Sequence, residues 1–234
     1  MNTQNPPEPG ASTATVSFPE PIEDNDILRE KRRAGAALRR IIDGIITKHP
    51  EVDTMAALAD RLEVLADSFN SMPDKAVRTS FGHRISAEDV RDFIEFSPLT
   101  GSANPVAAPL RLWTDNGRAV GSVTFGRSFE GAPGVVHGGF VAAIFDEILG
   151  FAQGFSGRPG MTGTLTITYR APTPLLTELR IEGSYDGTEG RKIHTSGKLY
   201  AGDTLLAEAR GLFISLTDEQ YASVAAMQNS STDD

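Results

Sequence analysis

Asp146 and Glu147 stand side by side in "PGVVHGGFVAAIFDEILGFAQG", residues 133–154, where nearly every other side chain is apolar or small. A carboxylate in such a segment must be paired, protonated, exposed or in use, because burying a bare charge is very costly. On a helix of 100° per residue, Asp146 shares its face with Gly139, Ala142, Ala143 and Gly150. That stripe of small residues lets another backbone or a ligand approach the carboxylate, whereas Glu147 is rotated one step away. The helix opens at His137-Gly138-Gly139, where free N–H groups and the helix dipole favour negative charge. Such donors can hold a developing oxyanion. A carboxylate two turns further on can act as base or nucleophile, in the same subunit or across a dimer. The plainer readings stay open at this point: charged helix residues are usually solvated, and a lone histidine at a helix start is often only a cap.

Other chemistries find little support. The sequence has no cysteine, which removes disulfides, thiolate metal sites and a cysteine nucleophile, and fits a reducing, cytoplasmic compartment. There is no G-x-S-x-G elbow. "GRKIHTSGK" has the wrong spacing for a phosphate loop. The four histidines, at 49, 83, 137 and 194, show no metal-ligand spacing, so neither a metal nor a cofactor is expected. Net charge is −9 over 234 residues, which argues against nucleic acid as a partner. No apolar run approaches the length of a transmembrane helix.

The elements that must position these residues are legible from periodicity. Residues 1–26, rich in Pro, Ser, Thr and acid, read as a disordered leader with no secretory signal. Helical spacing then predicts a helix over 27–48 and a second over about 53–69, a pair within 27–79 able to pack antiparallel. The basic run from Arg29 to Arg40 reads as a solvated helix face, or else as a seat for an anionic surface. A short helix is predicted near Ala87–Glu95, followed by a Pro/Gly-rich loop. From Leu110 the pattern becomes a sheet. Asp115-Asn116-Gly117 marks a hairpin, and four strand-length runs after the apolar helix predict an antiparallel meander. A helix that is apolar all round has to be covered on most sides, and a curled sheet wrapped about it would do so, giving an α+β architecture over 80–217 with a polar tail over 218–234.

"FEGAPGVVHGGFVAAIFDEILG" together with "MTGTLTITYRAPTPL" resembles the hotdog-fold acyl-CoA thioesterases, in the branch of mammalian thioesterase-superfamily members and PaaI-like proteins. The resemblance covers about residues 95–216, including the "SPLTGSANPVAAP" loop, and leaves the N-terminal helices outside. It implies a curled sheet around a central helix and hydrolysis of an acyl-CoA thioester to free acid and CoA. Asp146 then matches the catalytic acid that activates water or attacks the thioester. Gly138 matches the N–H that polarises the carbonyl, His137 holds the turn, and Thr162 orients the water. Several related enzymes carry an Asn or Gln shortly before His-Gly-Gly. Here that segment reads "RSFEGAPGVV", with Glu130 as the polar residue nearest that place. Hotdog proteins usually dimerise with sites at the interface, so a homodimer or a dimer of dimers is expected. For the substrate, Gly139 lies beside the oxyanion donor, and Arg170, Arg191 and Lys192 are candidates for the CoA phosphates. A non-catalytic acyl-CoA-binding or regulatory module on the same fold is the alternative; Asp146 with Thr162 favours the enzyme.

Overall fold

The computed structural model describes residues 25–73, 94–108, 110–158, 160–217 and 219–220. The expected leader, apart from its last two residues, nearly all of the helix expected at 87–95 and most of the tail therefore lie outside the described residues. Two helices come first, α1 (Asp26–Thr47) and α2 (Val52–Asn70). Asn25 caps α1, its side chain accepting the Leu28 N–H at 2.9 Å.

The hairpin expected at Asp115-Asn116-Gly117 is present. Strand β1 (Arg111–Asp115) pairs antiparallel with β2 (Arg118–Thr124), with Asp115 opposite Arg118. Asn116 and Gly117 both adopt positive φ, 48° and 74°, the conformation that a two-residue primed turn requires. The apolar helix, α3, spans Gly138–Gln153. It is followed by β3 (Gly160–Tyr169), β4 (Glu178–Glu189), β5 (Lys192–Ala201) and β6 (Thr204–Ser215).

The expected meander needs one correction. The six strands run in the order β1-β2-β4-β5-β6-β3, so only β4, β5 and β6 form a meander. Strand β3 pairs with β6 instead of its sequence neighbour β4. The connection explains this. Residues 170–177 are no tight turn: they contain Pro172 and Pro174, the N–H groups of Arg170 and Ala171 both reach the Leu206 carbonyl, and Pro174 bridges back to Val135. The chain is thereby carried across the sheet before β4 begins.

The sheet curls around α3, leaving β1 and β3 as its edges. Val141, Ile144, Phe145, Ile148, Leu149 and Ala152 of α3 are buried against Leu179, Ile181, Ile193, Leu199 and Phe213 of the sheet. The helix lies low because glycines floor it. Gly183 and Gly197 face each other across β4 and β5, and a Cβ on Gly183 would come within 3.0 Å of the Ile148 carbonyl.

The N-terminal helices depart from expectation. No residue of α2 is buried, so the two helices do not pack along each other as a closed antiparallel pair. In α1 the buried residues are Leu28 and Gly35, whereas Ile41, Ile42, Ile45 and Ile46 are exposed. The basic run divides in two. Arg29 and Arg33 pair with Asp26 and Glu30 on their own helix, but Arg32 and Arg39 reach into the 95–104 loop. Among the described residues, no helix is long and apolar enough to cross a membrane.

Candidate active site

Helix α3 presents Asp146 on its exposed stripe while Phe145 and Leu149 are fully buried in the core. The first strand after the helix brings Thr162 alongside. Its hydroxyl donates to Asp146 Oδ1 at 2.8 Å, which fixes the carboxylate's rotamer and leaves Oδ2 for another partner. Thr162 sits just before a register shift in the β3–β6 pairing between Thr162 and Thr164, where the strand's side chains are re-aimed.

Asp146, Glu147 and Thr162 line one cavity of about 1370 Å³. Its apolar wall includes Leu110, Leu112, Val123, Phe151 and Phe213, and Ile94, Thr100 and Ser102 close part of its rim. Of the aromatic residues on and after α3, Phe145 is core, while Phe151 both packs on the core and faces this cavity. Glu147, rotated off the stripe, is more enclosed than Asp146. Burial, and secondarily the neighbouring Asp146 charge, raises its pKa above the ordinary 4.5. Its role was not legible from spacing beyond the adjacency to Asp146.

The helix start forms a separate place. His137 caps α3, its Nδ1 accepting the Gly139 N–H at 3.0 Å. That bond requires Nδ1 to be unprotonated, so in the neutral ring the proton is on Nε2. The N–H groups of Phe140 and Val141 turn back to the His137 carbonyl. Gly138 N–H alone among the first helical donors makes no hydrogen bond within the described residues, while its carbonyl accepts from the Tyr169 hydroxyl at 2.9 Å. His137 and Gly138, with Tyr169, Arg170 and Thr173, line a second cavity of about 560 Å³.

The sequence-derived set thus falls into two groups. Gly138 and Asp146 are eight residues apart on one helix, about 12 Å along its axis. One small group cannot contact both within a single chain. Arg170 lines the second cavity while forming an ion pair with Glu208 at 2.8 Å. Arg191 and Lys192 line neither cavity; Arg191 donates to the Ser215 carbonyl and to Gln220. Glu130 is occupied by the Gly134 N–H and by Arg127.

Comparison with known proteins bears on the fold. Residues 133–208 match the thioesterase superfamily. The chain is 38% identical over 105 residues to acyl-coenzyme A thioesterase THEM4 of Mus musculus, covering 44% of this chain and 45% of that one. It is 37% identical over 108 residues to THEM4 of Bos taurus, covering 45% and 44%. The chain thus spans about half the length of the curated relatives it matches. The crystal structure of a thioesterase superfamily protein aligns with a TM-score of 0.67 at 29% identity, over 79% of this chain and 94% of that one.

Proposed function

We propose that this chain carries a hotdog domain of the thioesterase superfamily and is an enzyme that hydrolyses acyl-CoA thioesters to the free acid and CoA. The observation that carries this reading is the Thr162–Asp146 hydrogen bond on the wall of a largely apolar cavity. It pairs a fixed carboxylate with a space suited to an acyl chain. Asp146 removes a proton from water as that water attacks the thioester carbon, and Thr162 holds the carboxylate and orients the water. The carbonyl oxygen gains charge against a backbone N–H, collapse expels the CoA thiolate, and the proton held by Asp146 returns to it. Direct attack by Asp146 is the variant route, with water then hydrolysing the anhydride.

The oxyanion donor is Gly138 N–H of a second copy, since the spacing on α3 keeps the donor and the acid of one chain apart. His137 holds that donor's turn, and Gly139, with no side chain, leaves room for the substrate beside it. Strand β3 supports the pairing. It is a ten-residue edge strand without proline or charge, "GMTGTLTITY", an unprotected template for another strand. A homodimer, or a dimer of dimers, then builds each site from Asp146 and Thr162 of one chain and Gly138 of its partner. Arg170 beside the second cavity is the best placed of the basic candidates for the CoA phosphates. The catalytic unit in this reading is residues 80–217, with 27–79 an added helical segment and 1–26 and 218–234 outside it. The cysteine-free composition suits a cytoplasmic location.

The test is a hydrolysis screen across acyl-CoA chain lengths, including aryl and hydroxyacyl thioesters. Turnover is expected with at least one class. Asp146→Asn should keep fold and ligand binding while cutting kcat by at least about 100-fold, and Thr162→Ala should lose less, because it orients and does not react. Near-native kcat in Asp146→Asn removes Asp146 from the mechanism. Acyl-CoA binding without turnover on any substrate would favour the non-catalytic module, a reading supported by the separation of donor and acid within one chain.

A further inference from the structure

The cavity beside Asp146 is not built by the curled sheet and α3 alone. Ile94, Thr100 and Ser102 supply part of its wall, from a loop that precedes the stretch matched to the superfamily. The loop is wound tightly on itself. Ser97 Oγ accepts the N–H groups of Leu99 and Thr100, Gly101 N–H reaches the Ser97 carbonyl, and the Asn104 side chain bonds Phe96 O and Val106 N–H. Leu110 N–H, bonded to the Leu99 carbonyl at 3.0 Å, ties it to the start of β1.

Helix α1 seats this loop. Arg39 donates to the carbonyls of Ser102 at 3.0 Å and Asn104 at 2.7 Å. Arg32 forms a two-pronged pair with Glu95, one prong at 3.0 Å, and Glu95 also accepts from the Ser102 hydroxyl at 2.7 Å. Between the two arginines, Gly35 lies against the Ala103 carbonyl, where a Cβ would come within 2.9 Å of the oxygen. Arg32, Gly35 and Arg39 are spaced i, i+3, i+7 and so share one face of the helix. A planar guanidinium that satisfies two backbone carbonyls fixes loop position in a way that a solvated charge does not.

We propose that α1 is a strap whose Arg32 and Arg39 hold the 94–104 loop as a wall of the acyl cavity and so limit the acyl chain the site accepts. This rests on the acyl-CoA reading above. Both arginines are positioning residues that act through the loop, and neither touches the reacting atoms. A substrate tail short of the wall is indifferent to the strap, whereas a tail that reaches Ile94 and Thr100 depends on it.

The test uses the full chain and S-alkyl-CoA thioethers, which carry a tail but no cleavable carbonyl, with tails from ethyl to hexadecyl. Calorimetry should show wild-type affinity rising by roughly 3- to 4-fold per buried methylene until the wall is met, then levelling. Arg39→Ala and Arg32→Ala should lower affinity by about 10-fold or more, some two to three such methylene steps, for the longest tails that fit. The ethyl thioether should be unaffected. Arg39→Lys, which reaches one carbonyl only, should fall between, and together with Arg32→Gln serves if either alanine variant does not fold. An unchanged ladder in the variants, or an equal loss at every length including ethyl, overturns the strap while leaving the acyl-CoA reading intact. Failure of the wild type to bind any thioether overturns both.

Discussion

At Asp146 the helix resolves a conflict that the composition creates. The carboxylate sits on the exposed small-residue stripe and is hydrogen-bonded to Thr162, so it stays available for chemistry at little desolvation cost. Its neighbour Glu147 is more enclosed, and its raised pKa has a consequence for stability. The folded chain binds the Glu147 proton more tightly than the unfolded chain does. Its contribution is therefore full below the ordinary carboxylate range and is lost as pH rises from about 4.5 through the raised value. Glu147→Gln should remove that loss, raising Tm at neutral pH more than in acid. Thermal melts showing the same difference at both would exclude Glu147 as the source. The basic candidates are separable in the same way. Arg170→Ala should raise KM for acyl-CoA while sparing kcat and leaving acyl-pantetheine unaffected, the signature of lost uniform binding. The Arg191→Ala, Lys192→Ala pair, which lines neither cavity, should leave that KM within about twofold. The reverse pattern would move the phosphate site to Arg191 and Lys192.

At the scale of elements, the close seat of α3 on the sheet sets where Asp146 can be. Gly183, Gly197 and Gly211 remove side chains beneath the helix, and a Cβ at Gly197 would meet the Glu182 carbonyl at 2.8 Å and Leu149 at 3.1 Å. The carbonyl is backbone in a paired strand and cannot swing aside. Gly197→Ala is therefore expected to cost about 1–3 kcal/mol by overpacking, measured by denaturant unfolding, and to reduce activity with it because α3 must lift. A neutral substitution would mean that the strand relaxes freely and that the glycine floor does not hold the helix. Position 202 offers the contrast: Gly202 has open space around a hypothetical Cβ but a φ of +55°. Substitution there strains the turn and does not touch the helix seat.

For the whole molecule, the curled sheet ends in two edges, and the halves of the proposed site lie in two cavities of one chain. Closing β3 against β3 of a second copy would cover an uncharged edge where Met161 and Tyr169 are both more than half exposed. Light scattering at micromolar concentration is expected to give at least twice the chain mass of 25.0 kDa. A charge placed on that edge, Thr166→Lys or Thr168→Lys, should lower both association and turnover. An active monomer would require a donor other than Gly138 and would end the two-chain site.

The hydrophobic pattern by itself determined that a wholly apolar helix must be enclosed, that Asn116-Gly117 turns a hairpin, and that Asp146 rides a small-residue stripe. These are local properties, written in the side-chain period and in the φ preferences of single residues. The motif around His137-Gly138-Gly139, with Asp146 nine residues on, carried the family resemblance, which implied a role for Thr162. Only the tertiary structure decided that β3 crosses to pair with β6, because that depends on which strand edge remains open after the chain has folded and not on any strand's own sequence. It also separated Gly138 from Asp146 into different cavities. Finally, it turned Arg32 and Arg39 from members of a basic run into clamps on the 95–104 loop. A guanidinium reads as solvated charge in sequence; what it binds is fixed by backbone carbonyls more than sixty residues away, which no local pattern records.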